Sequence, residues 1–300
     1  ANTFYKKFIK KIKEHSTIVI ARHIGPDPDA IASEIALRDI LRYNYPDKQI
    51  YAIGTSVSRF KYLGILDKIE EDKIKNALLI ILDVPKFDRV DGMRNLELYD
   101  YTIKIDHHPE SDTICNLEWV DETASSTCQM ITELVYNTKL KMTSDIAKKL
   151  YVGIVSDSDR FLLFYTTPKT LELSAKLLND YKFELTPLYN NLYIRGLNER
   201  KLEAYIINHI IVTENGFAYI KITDDMIKEF GVDPATPSNM VNDLNFIKEI
   251  KVWAFSSYDE KNNLYKINIR SREIVINEIA AQFNGGGHKL AAGARLKTAE

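Results

Sequence analysis

The feature that most constrains this 300-residue chain is a series of short apolar segments in its first half, separated by helical patterns. Thr17–Ala21 (TIVIA), 50–53, Leu78–Leu82 (LLIIL) and 101–105 have strand length, and helical spacing follows at 30–43, 123–138 and 144–155. Strands that are apolar on both faces and joined through helices run parallel, because only a sheet covered on its faces can bury such runs. The chain is therefore expected to begin with an α/β domain on a parallel sheet. Thr167-Pro168, a cap residue followed by proline at the first helical position, starts one more helix to about residue 179.

The pattern changes after about residue 185. A helical stretch leads to about His209, and an IIV segment and FAYIKI then flank the turn-forming Asn215-Gly216 as a hairpin. A second hairpin is expected from 251–258 and 264–270 across Glu260 to Asn263, and a helix at 274–283 ends in Gly285-Gly286-Gly287. This second half reads as a smaller α+β domain. The expected division is a catalytic domain at 1–185, a helical linker at 186–208 and a substrate-binding domain at 209–300.

Charge narrows the partners. Forty Lys and Arg against 42 Asp and Glu give a net charge of -2, without the broad positive field that a long duplex requires. A ligand carrying one or a few phosphates fits better, since metals and a few basic side chains can neutralise it locally. No apolar run approaches the ~20 residues needed to cross a bilayer, no membrane partner is expected, and the chain reads as cytoplasmic. Cys115 and Cys128 match neither a zinc signature nor a disulfide framework, and both are expected as reduced thiols.

Ligands of open α/β sheets lie beyond the carboxyl ends of the strands. The first strand runs into His23 and then Gly25-Pro26-Asp27-Pro28-Asp29; Leu78–Leu82 ends on Asp83; the strand at 101–105 ends on Asp106-His107-His108. Taken alone, Asp27 or Asp29 is a helix cap and Asp83 a turn residue. Together, buried carboxylates repel one another and cost several kcal/mol each in desolvation, roughly, unless a cation joins them. Mixed carboxylate and imidazole donors suit Mn²⁺ or a similar ion better than a thiolate zinc site or an all-oxygen calcium loop.

These residues resemble the motifs of the DHH phosphoesterases, and within them the bifunctional oligoribonuclease and 3′-phosphoadenosine 5′-phosphate (PAP) phosphatase group. The motifs are HIGPDPDAIAS from His23, LDV around Asp83, DHHP from Asp106 and VSDSDRF from Val155; IRSR from Ile269 and NGGGHKLAAGA from Asn284 are similar to the family's nucleotide-binding domain. The resemblance implies two divalent ions, manganese first with magnesium or cobalt admitted. One is held by His23, Asp27 and Asp83, the second by Asp29, Asp83, His107 and Asp157. It further implies that Asp83 bridges them, that His108 faces the substrate phosphate, and that Asp106 orients the histidine pair. Substrate binding falls to Arg270, Ser271, Arg272, Gly285, Gly286, Gly287, His288 and Arg160.

The implied reaction is hydrolysis of short oligoribonucleotides, including linear dinucleotides such as pApA, to 5′-mononucleotides, and of PAP to AMP; a homodimer is compatible with it. A manganese pyrophosphatase or exopolyphosphatase shares such metal motifs, but the RSR and GGGH segments point to a nucleoside rather than bare phosphate. A non-catalytic nucleotide-binding regulator is the reading of another class. Ser158 and Asp159 stand where relatives often carry Thr-Gly, Ala32 where many carry Gly, and Lys289 where Pro is frequent.

Overall fold

The computed structural model describes residues 2–92, 95–109, 111–259 and 262–298. The chain divides into two compact units, Ala1–Ile194 and Arg195–Glu300.

In the first unit, α1 (Asn2–Glu14) precedes β1 (Thr17–Ala21), α2 (Pro28–Asn44), β2 (Gln49–Ala52), the single turn α3 (Glu71–Ile74), β3 (Leu78–Leu82), β4 (Tyr101–Asp106) and β5 (Leu117–Val120). Four further helices follow: α4 (Thr127–Tyr136), α5 (Ser144–Asp157), α6 (Pro168–Tyr181) and α7 (Thr186–Tyr193). The strands form one parallel sheet in the order β2-β1-β3-β4-β5. Alternation along β1 and β3 sends Ile18, Ile20, Leu78, Ile80 and Leu82 into the core shared with α1, α2, α4 and α5, and Val19, Ala21, Leu79 and Ile81 into a smaller core with Ile74 and Tyr99. That two-sided burial explains the unbroken apolar run LLIIL.

The strand order reverses direction between β1 and β3, since the chain leaves β1 for β2 on one side and then crosses to β3 on the other. Beyond the carboxyl ends at such a switch point the two flanking loops part, leaving a crevice. His23 and Asp83 emerge there.

The second unit comprises α8 (Leu197–His209), β6 (Ile211–Val212), β7 (Phe217–Ile222), α9 (Asp224–Phe230), α10 (Thr236–Met240), β8 (Val252–Asp259), β9 (Leu264–Ser271), α11 (Asn277–Gln282), β10 (Gly286–His288) and β11 (Ala291–Leu296). Its mixed sheet has the order β10-β11-β9-β8-β7-β6, with only β7 and β8 parallel. Ala218, Ile220 and Ile222 alternate inward from β7 and meet Leu202, Ile206, Trp253 and Phe255. The turn expected across Glu260 to Asn263 lies partly outside the described residues.

The stretch 186–208, expected as a separate linker, is shared between the two cores. Helix α7 packs on α5 and buries Leu192 in the first core, whereas α8 buries Leu202 and Ile206 in the second. The terminal helix is shorter than expected, and the glycines after it continue into a strand. A Cβ on Gly285 would stand 1.9 Å from the Gly293 carbonyl oxygen, and one on Gly287, at φ +139°, 2.5 Å from that of Ala291. Glycine is required there for β10 to approach β11.

Candidate metal centre

The first unit gathers every metal-ligand candidate named from the sequence at the β1–β3 switch point. Asp27 caps α2, its Oδ1 accepting the Ala30 N–H at 2.9 Å, and Pro28 takes the first helical position. The cap leaves Oδ2 facing His23 Nε2 at 3.8 Å. Capping thus uses one oxygen of the carboxylate and leaves the other available as a candidate ligand. Asp29, in the first turn of α2 and fully buried, is gripped by the N-terminus of α4: Thr127 N–H donates to Oδ2 at 2.8 Å and Cys128 N–H to Oδ1 at 2.9 Å. Asp83 follows β3 with φ +60°, a left-handed conformation that Asp tolerates better than most side chains. Asp157 is the last residue of α5.

Two imidazoles converge on Asp83. His23 Nε2 lies 3.5 Å from Oδ2 and His107 Nε2 3.3 Å from Oδ1; His107 Nε2 is also 3.1 Å from Asp157 Oδ2. On each ring Nδ1 faces a backbone carbonyl, that of Ile24 at 3.0 Å and that of Ala124 at 3.3 Å. A carbonyl only accepts, so Nδ1 carries the hydrogen and Nε2 is the atom left to ligate. Possible donor atoms of His23, Asp27 and Asp83 lie within 4.8 Å of one another, and so do those of Asp29, Asp83 and His107. Asp83 belongs to both sets. The donors therefore fit two divalent ions sharing one carboxylate, and the mixture of oxygen and imidazole suits a first-row ion.

Protonation shows what the cluster is without a cation. Burial, followed by the charges of Asp157 and Asp83, pushes the Asp29 carboxyl well above its ordinary range. Burial raises Asp157 to about 6 against the pull of His107. Burial disfavours charge on His23, but Asp27 and Asp83 outweigh it and hold the ring well above its usual value; Asp157 and Asp83 do the same for His107. The metal-free site thus stores protons that a divalent ion must displace. Metal binding is expected to release protons at neutral pH, and affinity to fall about tenfold per pH unit per proton displaced, steepening below about 6 where Asp157 also protonates. Calorimetric titration with Mn²⁺ in buffers of different ionisation enthalpy checks this; an affinity flat from pH 5 to 8 contradicts it.

His108 is arranged differently. Its Nδ1 sits 2.7 Å from Asp106 Oδ1 and 3.6 Å from Asp83 Oδ1. Asp106 is fully buried, and although burial opposes its ionisation, the hydrogen bond and charge of His108 hold its carboxyl below the ordinary range. Any proton that His108 exchanges with a substrate must then pass through Nε2.

Several supporting groups gave no signal in the sequence. Thr127 donates from Oγ1 to Asp83 Oδ1 at 3.0 Å. Gly153, in the middle of α5, is the only residue type that fits: a Cβ would meet Cys128 Sγ at 2.2 Å and Asp29 Oδ1 at 2.8 Å. Burial, then the Asp29 charge, pushes the Cys128 thiol well up, so it packs as a small neutral group. Arg22, wholly buried, ties the end of β1 to the Thr55 carbonyl at 2.6 Å and to Asp91, and donates to the His23 carbonyl at 3.2 Å. A glycine in a helix and an arginine at a strand end invite several explanations from sequence alone.

The substrate-binding candidates fall into two groups. Arg160 pairs with Asp159 at 3.0 Å and lies over the Tyr193 ring. Asp159, Arg160 and Phe161 all have positive φ, from +45° to +68°. That conformation is natural to glycine, the residue the family resemblance implies at position 159, and Asp159 carries strain there of roughly 1 kcal/mol. In the second unit, Arg272 donates to the carbonyls of Asn245, Lys248 and Ile250, and Ser271 Oγ accepts the Ile274 N–H at 2.8 Å. Both thereby hold the local fold. Arg270 bonds Asn242 Oδ1 at 2.9 Å, and Gly286–His288 forms β10.

Acids and imidazoles collected at the switch point of a parallel sheet define a metal-dependent hydrolase. Residues 17–154 match the DHH family, N-terminal domain, and residues 214–300 the DHHA1 domain. The chain is 38% identical to the bifunctional oligoribonuclease and PAP phosphatase NrnA of Bacillus subtilis, over 97% of this chain and 92% of that one. It is 34% identical to a Streptococcus mutans protein named as a probable enzyme of the same kind, over 97% and 93%. An exopolyphosphatase-related protein from Bacteroides fragilis shares the fold, with a TM-score of 0.87 at 23% identity over 100% of this chain and 93% of that one. The chain belongs to the DHH family and is a phosphoester hydrolase. Among the described residues no helix is long and apolar enough to cross a membrane.

Proposed function

We propose that this enzyme hydrolyses short oligoribonucleotides, linear dinucleotides such as pApA among them, to 5′-mononucleotides, and converts PAP to AMP, using two divalent ions with manganese preferred. The observation that carries the site assignment is the facing of each Asp83 oxygen by one imidazole Nε2. The near full-length likeness to proteins named for both activities supports the substrates.

In this reading His23, Asp27 and Asp83 hold one ion, and Asp29, Asp83, His107 and Asp157 the other. When bound, the pair activates water and neutralises developing phosphoryl charge. The protein supplies the rest. Asp29 is kept in place by two backbone N–H groups of α4, and Asp83 by Thr127. Asp106 holds the Nδ1–H of His108 and so leaves Nε2 to face the phosphoryl group or leaving oxygen, to which it donates once the ring has taken a second proton. In the second unit the proposed nucleotide contacts are Arg270, His288 and the Gly285–Gly287 backbone. Both guanidinium groups also brace the local fold, Arg272 through three backbone carbonyls and Arg270 through Asn242 and the carbonyls of Ile269 and Ala292.

Product analysis of manganese-loaded protein offered pApA, a five-residue RNA, PAP and pyrophosphate side by side tests the proposal. AMP from pApA and from PAP is the expected result. Release of phosphate from pyrophosphate alone would make it a pyrophosphatase, and no turnover with a full metal complement would make it a nucleotide-binding regulator.

A further inference from the structure

Lys104 is an odd occupant of β4. It stands between Ile103 and Ile105 and is 0% exposed, with the apolar Ile81 as its register partner on β3 and Glu118 on β5. Placing an ammonium in a sheet interior costs several kcal/mol, roughly, unless its protons are matched, and a leucine would serve packing better. Its Nζ donates to Ser111 Oγ at 2.7 Å and to the Asp112 carbonyl. Ser111 Oγ is in turn 2.5 Å from Asp106 Oδ2, and Asp106 Oδ1 is 2.7 Å from His108 Nδ1.

The direction of this chain follows from which atoms can donate. An ammonium only donates, so Ser111 Oγ accepts from Lys104 and must give its single proton to Asp106 Oδ2. The carboxylate, accepting on both sides, then takes Nδ1–H from His108, and its Oδ1 also faces the His108 backbone N–H at 3.3 Å. We infer that Lys104 and Ser111 are positioning residues, which through Asp106 fix His108 in its Nδ1–H form with Nε2 turned to the substrate. Without the serine proton the Asp106 carboxylate can rotate, and the imidazole loses its single orientation. Lys104 acts one bond further back, holding the serine proton toward Asp106 instead of elsewhere.

This rests on the role of His108 in the proposed hydrolysis, so two readouts are needed. Ser111→Ala keeps the bond from Lys104 to the Asp112 carbonyl, and therefore separates relay from fold; Lys104→Met removes both. Ser111→Ala is expected to lower kcat on pApA about 10-fold, and Lys104→Met up to about 100-fold, with KM and metal content little changed. Independently of substrate, ¹⁵N NMR of magnesium-loaded protein is expected to show His108 as the Nδ1–H tautomer, and a mixture of tautomers in Ser111→Ala. If Ser111→Ala keeps both the wild-type kcat and a single Nδ1–H tautomer, the relay is overturned and Lys104 merely braces the Asp112 backbone. If wild type fails on pApA while the tautomer still responds to Ser111→Ala, the substrate assignment falls and the relay stands.

Discussion

Asp83→Asn is expected to lower kcat on pApA by roughly 10³-fold or more and to remove both divalent ions, whereas Asp27→Asn and Asp29→Asn should each weaken one. The magnitude follows from losing the shared charge at the point where two cations meet the substrate, a larger loss than that of a single hydrogen-bond donor. Asparagine is the informative replacement. At φ +60° an alanine would add backbone strain, while Asn accepts the left-handed conformation and its amide oxygen can still take the Thr127 hydroxyl. The fold is thereby preserved and only the charge facing His23 and His107 is lost. Metal analysis after dialysis, together with kcat, decides the matter: a variant that keeps two ions and turns over normally removes Asp83 as the bridge.

Much of the first unit is legible in sequence because its strands are buried on two faces. β1 and β3 lie at Thr17–Ala21 and Leu78–Leu82, as their unbroken apolar runs imply. β5 was not legible: four residues at a sheet edge, with Glu118 and the exposed Val120 in it, carry neither a run nor a clean alternation. The metal-ligand candidates could be named since Asp and His recur after three strands, but the mode of holding could not. That Asp29 rests on α4, that Asp157 reaches His107 from the end of α5, and that Lys104 stands behind Asp106 all depend on contacts across 50 or more residues or on hydrogen-bond direction. The GGG segment signals a backbone that must come close to something, and in the fold Gly285 and Gly287 come close to β11, a packing demand that the sequence does not separate from ligand contact.

The left-handed residues sharpen the point. Asp83 and the Asp159-Arg160-Phe161 run both sit at carboxyl ends of elements that deliver metal-ligand candidates. Strain of about 1–3 kcal/mol at such positions persists only where surrounding contacts hold it. Thr127 supplies such a contact for Asp83, and the Ser158 hydroxyl, which accepts the Phe161 N–H at 3.0 Å, supplies it for the loop after Asp157. Carboxylate placement is thus a property of the packed helices behind the strand ends as much as of the strands.

Gly153→Ala tests that dependence most severely. In an exposed helix interior the change from glycine to alanine stabilises by about 1 kcal/mol, because alanine loses less backbone freedom. Here the sign should reverse. The added methyl would lie 2.2 Å from Cys128 Sγ and 2.8 Å from both Cys128 Cβ and Asp29 Oδ1, where α5 packs against α2 and α4. Overpacking of a rigid core costs about 1–3 kcal/mol and occasionally more, and three contacts this short place the variant at the upper end. A loss of about 3 kcal/mol corresponds to a Tm lower by roughly 10 °C for a unit of this size. Since Asp29 is one of the groups displaced, Mn²⁺ affinity should fall as well, by 10-fold or more on the order of what a misplaced ligand costs. Adding Cys128→Ala removes the closest clash but leaves the Cβ and the Asp29 oxygen in place. The double variant should therefore recover part of the stability and little of the metal affinity. Thermal denaturation of metal-free protein and calorimetric titration with Mn²⁺ separate the two effects, and a Gly153→Ala protein that melts at or above wild type with unchanged affinity would show that α5 does not set the position of Asp29.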